Sequence, residues 1–259
     1  MKRLSLWSVL TLLFVNLSVG KAQEQPAEPA KTTPPVLTSA VLTSAVETPA
    51  AATNELTPEL LNKLQLAAQH VKANQPSEAL AVYTEFLGAR SDMFGPYIDR
   101  GKLYHSQKEY AKAIDDYTAA LKIKEDLMDA YLRRCMAQYE SGAYAKAIPD
   151  CDKYIDSKPK NITYEPYYYK GMAHAGLREY DKTISMLAKA FEISNDLPDG
   201  HMLLGRIYTE QDHLLHALRE YTVVLQQRPG DKVALKHRGT IKAALGDELG
   251  SKEDLAKAR

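Results

Sequence analysis

The chain has 259 residues, 45% hydrophobic and 25% charged, ordinary values for a globular protein with room for one large domain or two small ones. Its 33 Lys and Arg balance 33 Asp and Glu, and no run of five like charges occurs. No field of one sign therefore favours nucleic acid or an anionic membrane surface, and neither is expected as a partner.

The first segment, MKRLSLWSVLTLLFVNLSVGKAQ, sets Lys2 and Arg3 ahead of a mostly apolar stretch from Leu4 to Gly20, followed by small residues that suit a signal peptidase. The expectation is a secretory signal peptide over residues 1–22, cut after Ala22, with a cut after Gly20 as the alternative. No cysteine follows the cut, so a lipid anchor is not expected. The competing reading is an uncleaved membrane anchor, because Leu4 to Gly20 reaches the short edge of the roughly 17 to 25 residues that span a bilayer. Asn16, Ser18 and the small-residue tail favour cleavage. The protein is then secreted or periplasmic, and membrane contact arises only if the segment stays attached.

Residues 23–56 are rich in Pro, Ala and Thr and contain no aromatic residue, which predicts a disordered linker that buries too little apolar surface to offset backbone entropy. Its back-to-back VLTSA from Val36 to Ala45 reads as a low-complexity duplication.

Helical signals start at residue 57. Thr57 suits an N-cap, Pro58 a first helical position, and ELLNKLQLAAQHV returns its apolar residues at helical spacing. The pentapeptide YAKAI at Tyr110 to Ile114 recurs at Tyr144 to Ile148, 34 positions on. Extending that register gives Ala79, Ala113 and Ala147, then Thr183 after a two-residue slip, then Ala217 and Ser251. Units starting near residues 60, 94, 128, 164, 198 and 232 thus fill a domain over 57–259.

Each unit reads as two amphipathic helices joined by a short turn. In the second unit Tyr97, Gly101 and Tyr104 form one apolar stripe, and Ala113, Tyr117, Ala120 and Leu121 form its counterpart. Small residues at Gly101 and Ala113 let the two helices approach.

The order of a large residue at position 4, a small one at 8, an aromatic at 11, Ala at 20, an aromatic at 24, Ala at 27 and Pro near 32 resembles the tetratricopeptide repeat. The third unit carries it through Tyr131, Cys135, Tyr144, Ala147 and Pro159, and the fourth through Tyr167, Gly171, Tyr180 and Ala190. The fifth has Gly205, Tyr208, Ala217, Tyr221 and Pro229, and the sixth has Gly239 and Leu255. The first is the loosest, matching at Ala67, Ala79, Tyr83 and Phe86. The resemblance implies an all-α fold, a right-handed α-solenoid of about six helix pairs following the signal peptide and linker. It also implies a non-catalytic scaffold or adaptor that holds a protein or peptide partner in its concave groove, or else a structural subunit that assembles through its ends.

Two departures stand out. Pro149 falls a turn inside a second helix, where it removes a backbone hydrogen bond or bends the helix. The sixth unit relies on Lys252, Glu253, Lys257 and Arg259 for a polar outer face, or docks there on another subunit.

On the family's first helix, positions 5, 9 and 12 lie to one side of the packing stripe and face the groove. The partner-binding candidates are therefore Lys102, His105, Leu132, Met136, Tyr139, Tyr168, Met172, Met202 and Arg206, with Ile98, Thr209, Lys236 and Thr240 beside them. Met and Tyr in the middle suit an adaptable peptide surface; the alternative is that they pack unit against unit. The Lys and Asn clamp that grips chaperone tails in some family members is not matched by any three consecutive units. Cys135 and Cys151 occupy positions 8 and 24 of one unit, on helices that pack together, and are either disulfide-bonded or two small buried hydrophobes.

No phosphate-cradling loop, metalloprotease helix, nucleophile elbow or dinucleotide fingerprint occurs, so neither an enzyme, a cofactor nor a small-molecule substrate is expected. Asp212, His213 and His216 are the nearest approach to a metal site and read as a polar turn entering a helix; no metal is expected. The only tryptophan, Trp7, lies inside the signal segment. Protein isolated from its native host should therefore show tyrosine fluorescence alone, and tryptophan emission from such material would rule cleavage out.

Overall fold

The computed structural model describes residues 56–259; the signal-peptide and linker expectations fall outside them. The regular elements among these residues are twelve α-helices in six pairs: α1 Pro58–Lys72 and α2 Pro76–Ala89; α3 Phe94–Ser106 and α4 Tyr110–Ile123; α5 Met128–Glu140 and α6 Tyr144–Asp156; α7 Glu165–Gly176 and α8 Tyr180–Ile193; α9 Pro198–Glu210 and α10 Leu214–Gln227; α11 Lys232–Ala244 and α12 Glu248–Lys257. Each pair packs on itself and on the next, which makes an α-solenoid. Thr57 caps α1, its hydroxyl oxygen accepting from the Leu60 amide at 3.3 Å, with Pro58 following.

Within a pair the helices meet where a small residue of the first faces a large one of the second. A methyl group added at Gly101 would lie 2.7 Å from Tyr117 Cε1, and one at Gly205 would lie 2.8 Å from Tyr221 Cζ. Gly171 and Gly239 stand in the same relation to Leu187 and Leu255. Beside this contact, Ala79, Ala113, Ala147, Thr183 and Ala217 are fully buried, and Ser251 nearly so. The residue that carries the repeat register is the one over which the two helices cross.

Every first helix ends alike. The residues at 74, 108, 142, 178, 212 and 246 all have positive φ, and the following amide reaches back to the carbonyl of the residue four before each of them, as from Glu109 to Tyr104 at 2.9 Å and from Ala143 to Gln138 at 2.8 Å. This is the Schellman motif, which turns the chain sharply into the second helix. Glycine supplies the left-handed residue only at Gly142 and Gly246; elsewhere Asn74, Lys108, Arg178 and Asp212 accept the strain. The two-residue slip is taken up in the connection at 157–164, and α6 runs through the exposed Pro149 to Asp156.

A second repeating contact is polar. Arg100 donates through Nε and Nη2 to both carboxylate oxygens of Asp116 (2.9 and 2.7 Å) and through Nη1 to Thr84 of the preceding unit (3.2 Å). Arg134 repeats the arrangement with Asp150 and Thr118, and Arg238 grips Asp254 in the same two-pronged way. In the fourth unit the cation is Lys170 and its partner, Asp152, sits in the preceding unit where the threonines sit elsewhere. The carboxylates are buried while the guanidiniums remain part-exposed. Removing one member of such a buried pair costs about 3–5 kcal/mol, because the other charge stays behind unpaired.

Consecutive units do not pack equally. The backbones of α8 and α9 stand further apart than those of the other neighbouring units. Side chains fill the space: Phe191 stacks on His201 with centroids 3.9 Å apart, and Tyr168, Leu204 and Ile207 pack beside them.

Gly101→Ala should lower stability by about 1–3 kcal/mol, since Tyr117 is walled in and cannot yield. Gly88→Ala, where nothing lies within 4 Å of the added methyl, should raise it by about 0.5–1 kcal/mol; urea unfolding of both variants measures the contrast. Asp254 has its carboxyl held below the ordinary carboxylate range by the Arg238 hydrogen bonds and by Lys242, against the opposing effect of burial. A depressed carboxyl contributes stability that is present above its unfolded value of about 3.9 and lost as pH falls below it. The stability gap between wild type and Asp254→Asn should accordingly be widest near neutral pH and shrink below about pH 4 in acid titration.

Candidate partner-binding groove

The groove face is built from α3, α5, α7, α9 and α11, with α1 at one end. At that end a cleft of about 450 Å³ opens between α1 and α3, walled by Ala68, Val71, Tyr83, Lys102 and Leu103. Lys102 is exposed, with its ammonium 2.9 Å from Asp99. His105 is half-buried, its Nε2 3.2 Å from Glu140 but not in hydrogen-bonding geometry.

The middle is filled rather than hollow. Tyr139, Tyr168 and Tyr169 form a chain of edge-to-face rings, with centroids 5.5 Å apart for both Tyr139 to Tyr169 and Tyr168 to Tyr169. Tyr144 and Tyr164 extend it at either side. Burial drives the Tyr169 hydroxyl up to about 12 and Tyr168 higher still, so both stay protonated and able to donate. Met136 and Met172 are half-buried, as is Met202, which packs towards Tyr221 at the far end. Leu132 differs from the groove expectation: it is buried and offers almost no surface to a partner. At the far end a matching cleft of about 400 Å³ lies between α9 and α11, lined by Arg206, Thr209, Glu210, Tyr221, Val233 and His237. Arg206 is exposed there.

Cys135 and Cys151 are joined by a disulfide, with Cα atoms 5.5 Å apart. The bond occupies the contact that a glycine and a tyrosine fill in the second and fifth units. It restrains the unfolded chain by about 3 kcal/mol for a loop of this size. It also fixes α5, which carries Met136 and Tyr139. The rings of His213 and His216 are 6.0 Å apart, with Tyr208 5.2 Å from His216. No group of three or more metal-ligating side chains gathers among the described residues. None of their helices is long and apolar enough to cross a membrane.

A family model described as "Tetratricopeptide repeat" matches residues 64–127, the stretch that holds most of the first two helix pairs. Residues 64–127 thus match the tetratricopeptide repeat, and the described helix pairs share the fold of solved proteins of that kind. Solved structures of such repeats share its fold at low identity. YrrB, described as a TPR protein with an unusual peptide-binding site, is 21% identical with a TM-score of 0.56, over 68% of this chain and 90% of its own. PilW, described as a widely conserved type IV pilus biogenesis factor, is 18% identical with a TM-score of 0.64, over 78% of this chain and 93% of its own. A tetratricopeptide repeat protein from Parabacteroides merdae is 15% identical with a TM-score of 0.62, over 78% of this chain and 79% of its own. The sequence matches no curated protein.

The repeat positions alone pass over the residues that join the groove candidates into one surface. Tyr169 lies one position beyond the groove register, yet it links Tyr139 to Tyr168. Tyr221 and His237 belong to the far cleft although one is a core position of a second helix. The run YEPYYY at 164–169 was the available signal for the first.

Proposed function

We propose that this tetratricopeptide-repeat protein is a non-catalytic scaffold, exported from the cytoplasm, that holds a peptide segment of a protein partner along the face made by its first helices. The observation that carries the reading is the tyrosine and methionine surface at the centre of that face, between two open clefts. Aromatic rings with protonated hydroxyls offer contact area and hydrogen bonds at small entropic cost, and methionines conform to varied side chains. Tetratricopeptide repeats serve widely as interaction scaffolds, and YrrB is described as having a peptide-binding site. Export rests on the signal-like residues 1–22. A second reading, assembly through the solenoid ends, is favoured by α12, where Leu249 and Leu255 are exposed.

Site-specific photo-crosslinking in the native host separates the two readings. A reactive residue at Met136 should capture a discrete protein that the same residue at Lys122, exposed on α4, does not. Failure at Met136 with self-adducts from Leu249 would overturn the groove reading in favour of assembly.

A further inference from the structure

The cations along the groove face are held in different ways. Towards the first units Lys102 lies 2.9 Å from Asp99 and Arg133 lies 2.6 Å from Asp129, whereas Lys72 at the near cleft has no carboxylate within 4 Å among the described residues. At the α9–α11 end neither Arg206 nor Lys236 has a carboxylate within 4 Å among the described residues. The reason is visible for Arg206. Glu210, one turn further along α9 and the natural partner, instead accepts the hydroxyl of Tyr180 from α8 at 2.9 Å. The guanidinium is thereby left exposed at the wall of the 400 Å³ cleft.

The floor of that cleft is formed by the Tyr221 ring. Tyr221 is fully buried and its hydroxyl has no hydrogen-bond partner. Thr209 beside it gives its own proton to the Gly205 carbonyl at 2.7 Å, which leaves its oxygen able to accept from the tyrosine. The Tyr221 ring stacks on His237, centroids 5.1 Å apart and planes within 7°. Burial, then Arg206 and Lys236, push the His237 imidazole below its usual range, so it is neutral at pH 7 and the local field is positive. Val233, 56% exposed, and the half-buried Met202 supply apolar surface beside these groups.

We propose that the α9–α11 cleft takes an acidic segment of the partner peptide, with an Asp or Glu side chain bonded to Arg206 and the chain continuing past Lys236. This rests on the groove reading above and adds the chemistry of the ligand. The acidic residue enters beside Arg206, its stem lies against Val233, and Lys236 favours a second carboxylate further along. A guanidinium suits the first position because it can offer a carboxylate two parallel N–H donors.

Panning a phage-displayed library of random 12-residue peptides on the full chain, disulfide intact, provides the test. Binders should be enriched in Asp and Glu and bind Arg206→Glu at least tenfold more weakly. They should lose affinity as salt is added and raise the His237 pKa followed by NMR. Lys122→Glu should bind them as wild type does. Because Arg206 and Lys236 are exposed and unpaired, Arg206→Glu and Lys236→Glu should unfold at the wild-type temperature. Synthetic binders with amidated C-termini should bind as well as free ones; a requirement for the free terminal carboxylate would overturn the side-chain assignment. Acid-free binders that Met136→Ala weakens but Arg206→Glu does not would overturn this inference and leave the groove reading standing. A library yielding no binder that depends on either position would overturn both.

Discussion

The structure depends on one steric condition, met by glycine in the second, fourth, fifth and sixth pairs: the first helix must present a small residue where the second presents a large one. Gly101 meets Tyr117, Gly205 meets Tyr221, and Gly171 and Gly239 meet Leu187 and Leu255. Neither helix can bury its stripe alone, so the close approach lets two marginal helices become one stable unit. In the third unit a covalent bond between Cys135 and Cys151 replaces the ring against glycine.

Around this apolar contact the chain lays a polar one at the same period. The Arg100, Arg134 and Arg238 forks each tie a first helix to its own second helix, and the first two also reach a threonine of the preceding unit. Paired charges of this kind contribute little net free energy compared with apolar packing, but they penalise any slip in register by stranding a buried carboxylate. The Schellman turns act in the same sense, since each fixes the angle between the helices of a pair. The ladder is missing in the first unit, where Leu66 and Val82 take the two positions, and in the fifth, where Leu204 and Glu220 take them and His201 faces Glu220 at 2.6 Å. The widened junction between α8 and α9 lies at this same unit.

The groove follows from these constraints. Because the stripe of each first helix is committed to its partner, the neighbouring residues are turned outward, and their character varies freely along the stack. Lys102 paired with Asp99 and the unpaired Lys72 stand at one end, aromatic rings at the centre, and the unpaired Arg206 at the other end. The clefts at the two ends use equivalent positions, so their difference in chemistry comes from side chains alone.

The amino-acid sequence determined the architecture, because a 34-residue echo of apolar and small residues admits few packings other than stacked helix pairs. It also determined the junctions: Thr57 and Pro58 open the first helix, and the slip before Thr183 marks the longer connection at 157–164. Tertiary structure alone decided which groove positions remain available. Leu132 occupies a groove register yet is closed over by its neighbours, while Tyr169 and His237 lie off that register and line the surface. It also decided that Glu210 bonds Tyr180 in the adjacent unit instead of Arg206 on its own helix. Periodicity reports which side of a helix a residue occupies, whereas exposure and pairing depend on how far neighbouring units stand apart and what reaches across between them. Distances between units are set by side chains far apart in the chain, and a period within one unit carries no record of them.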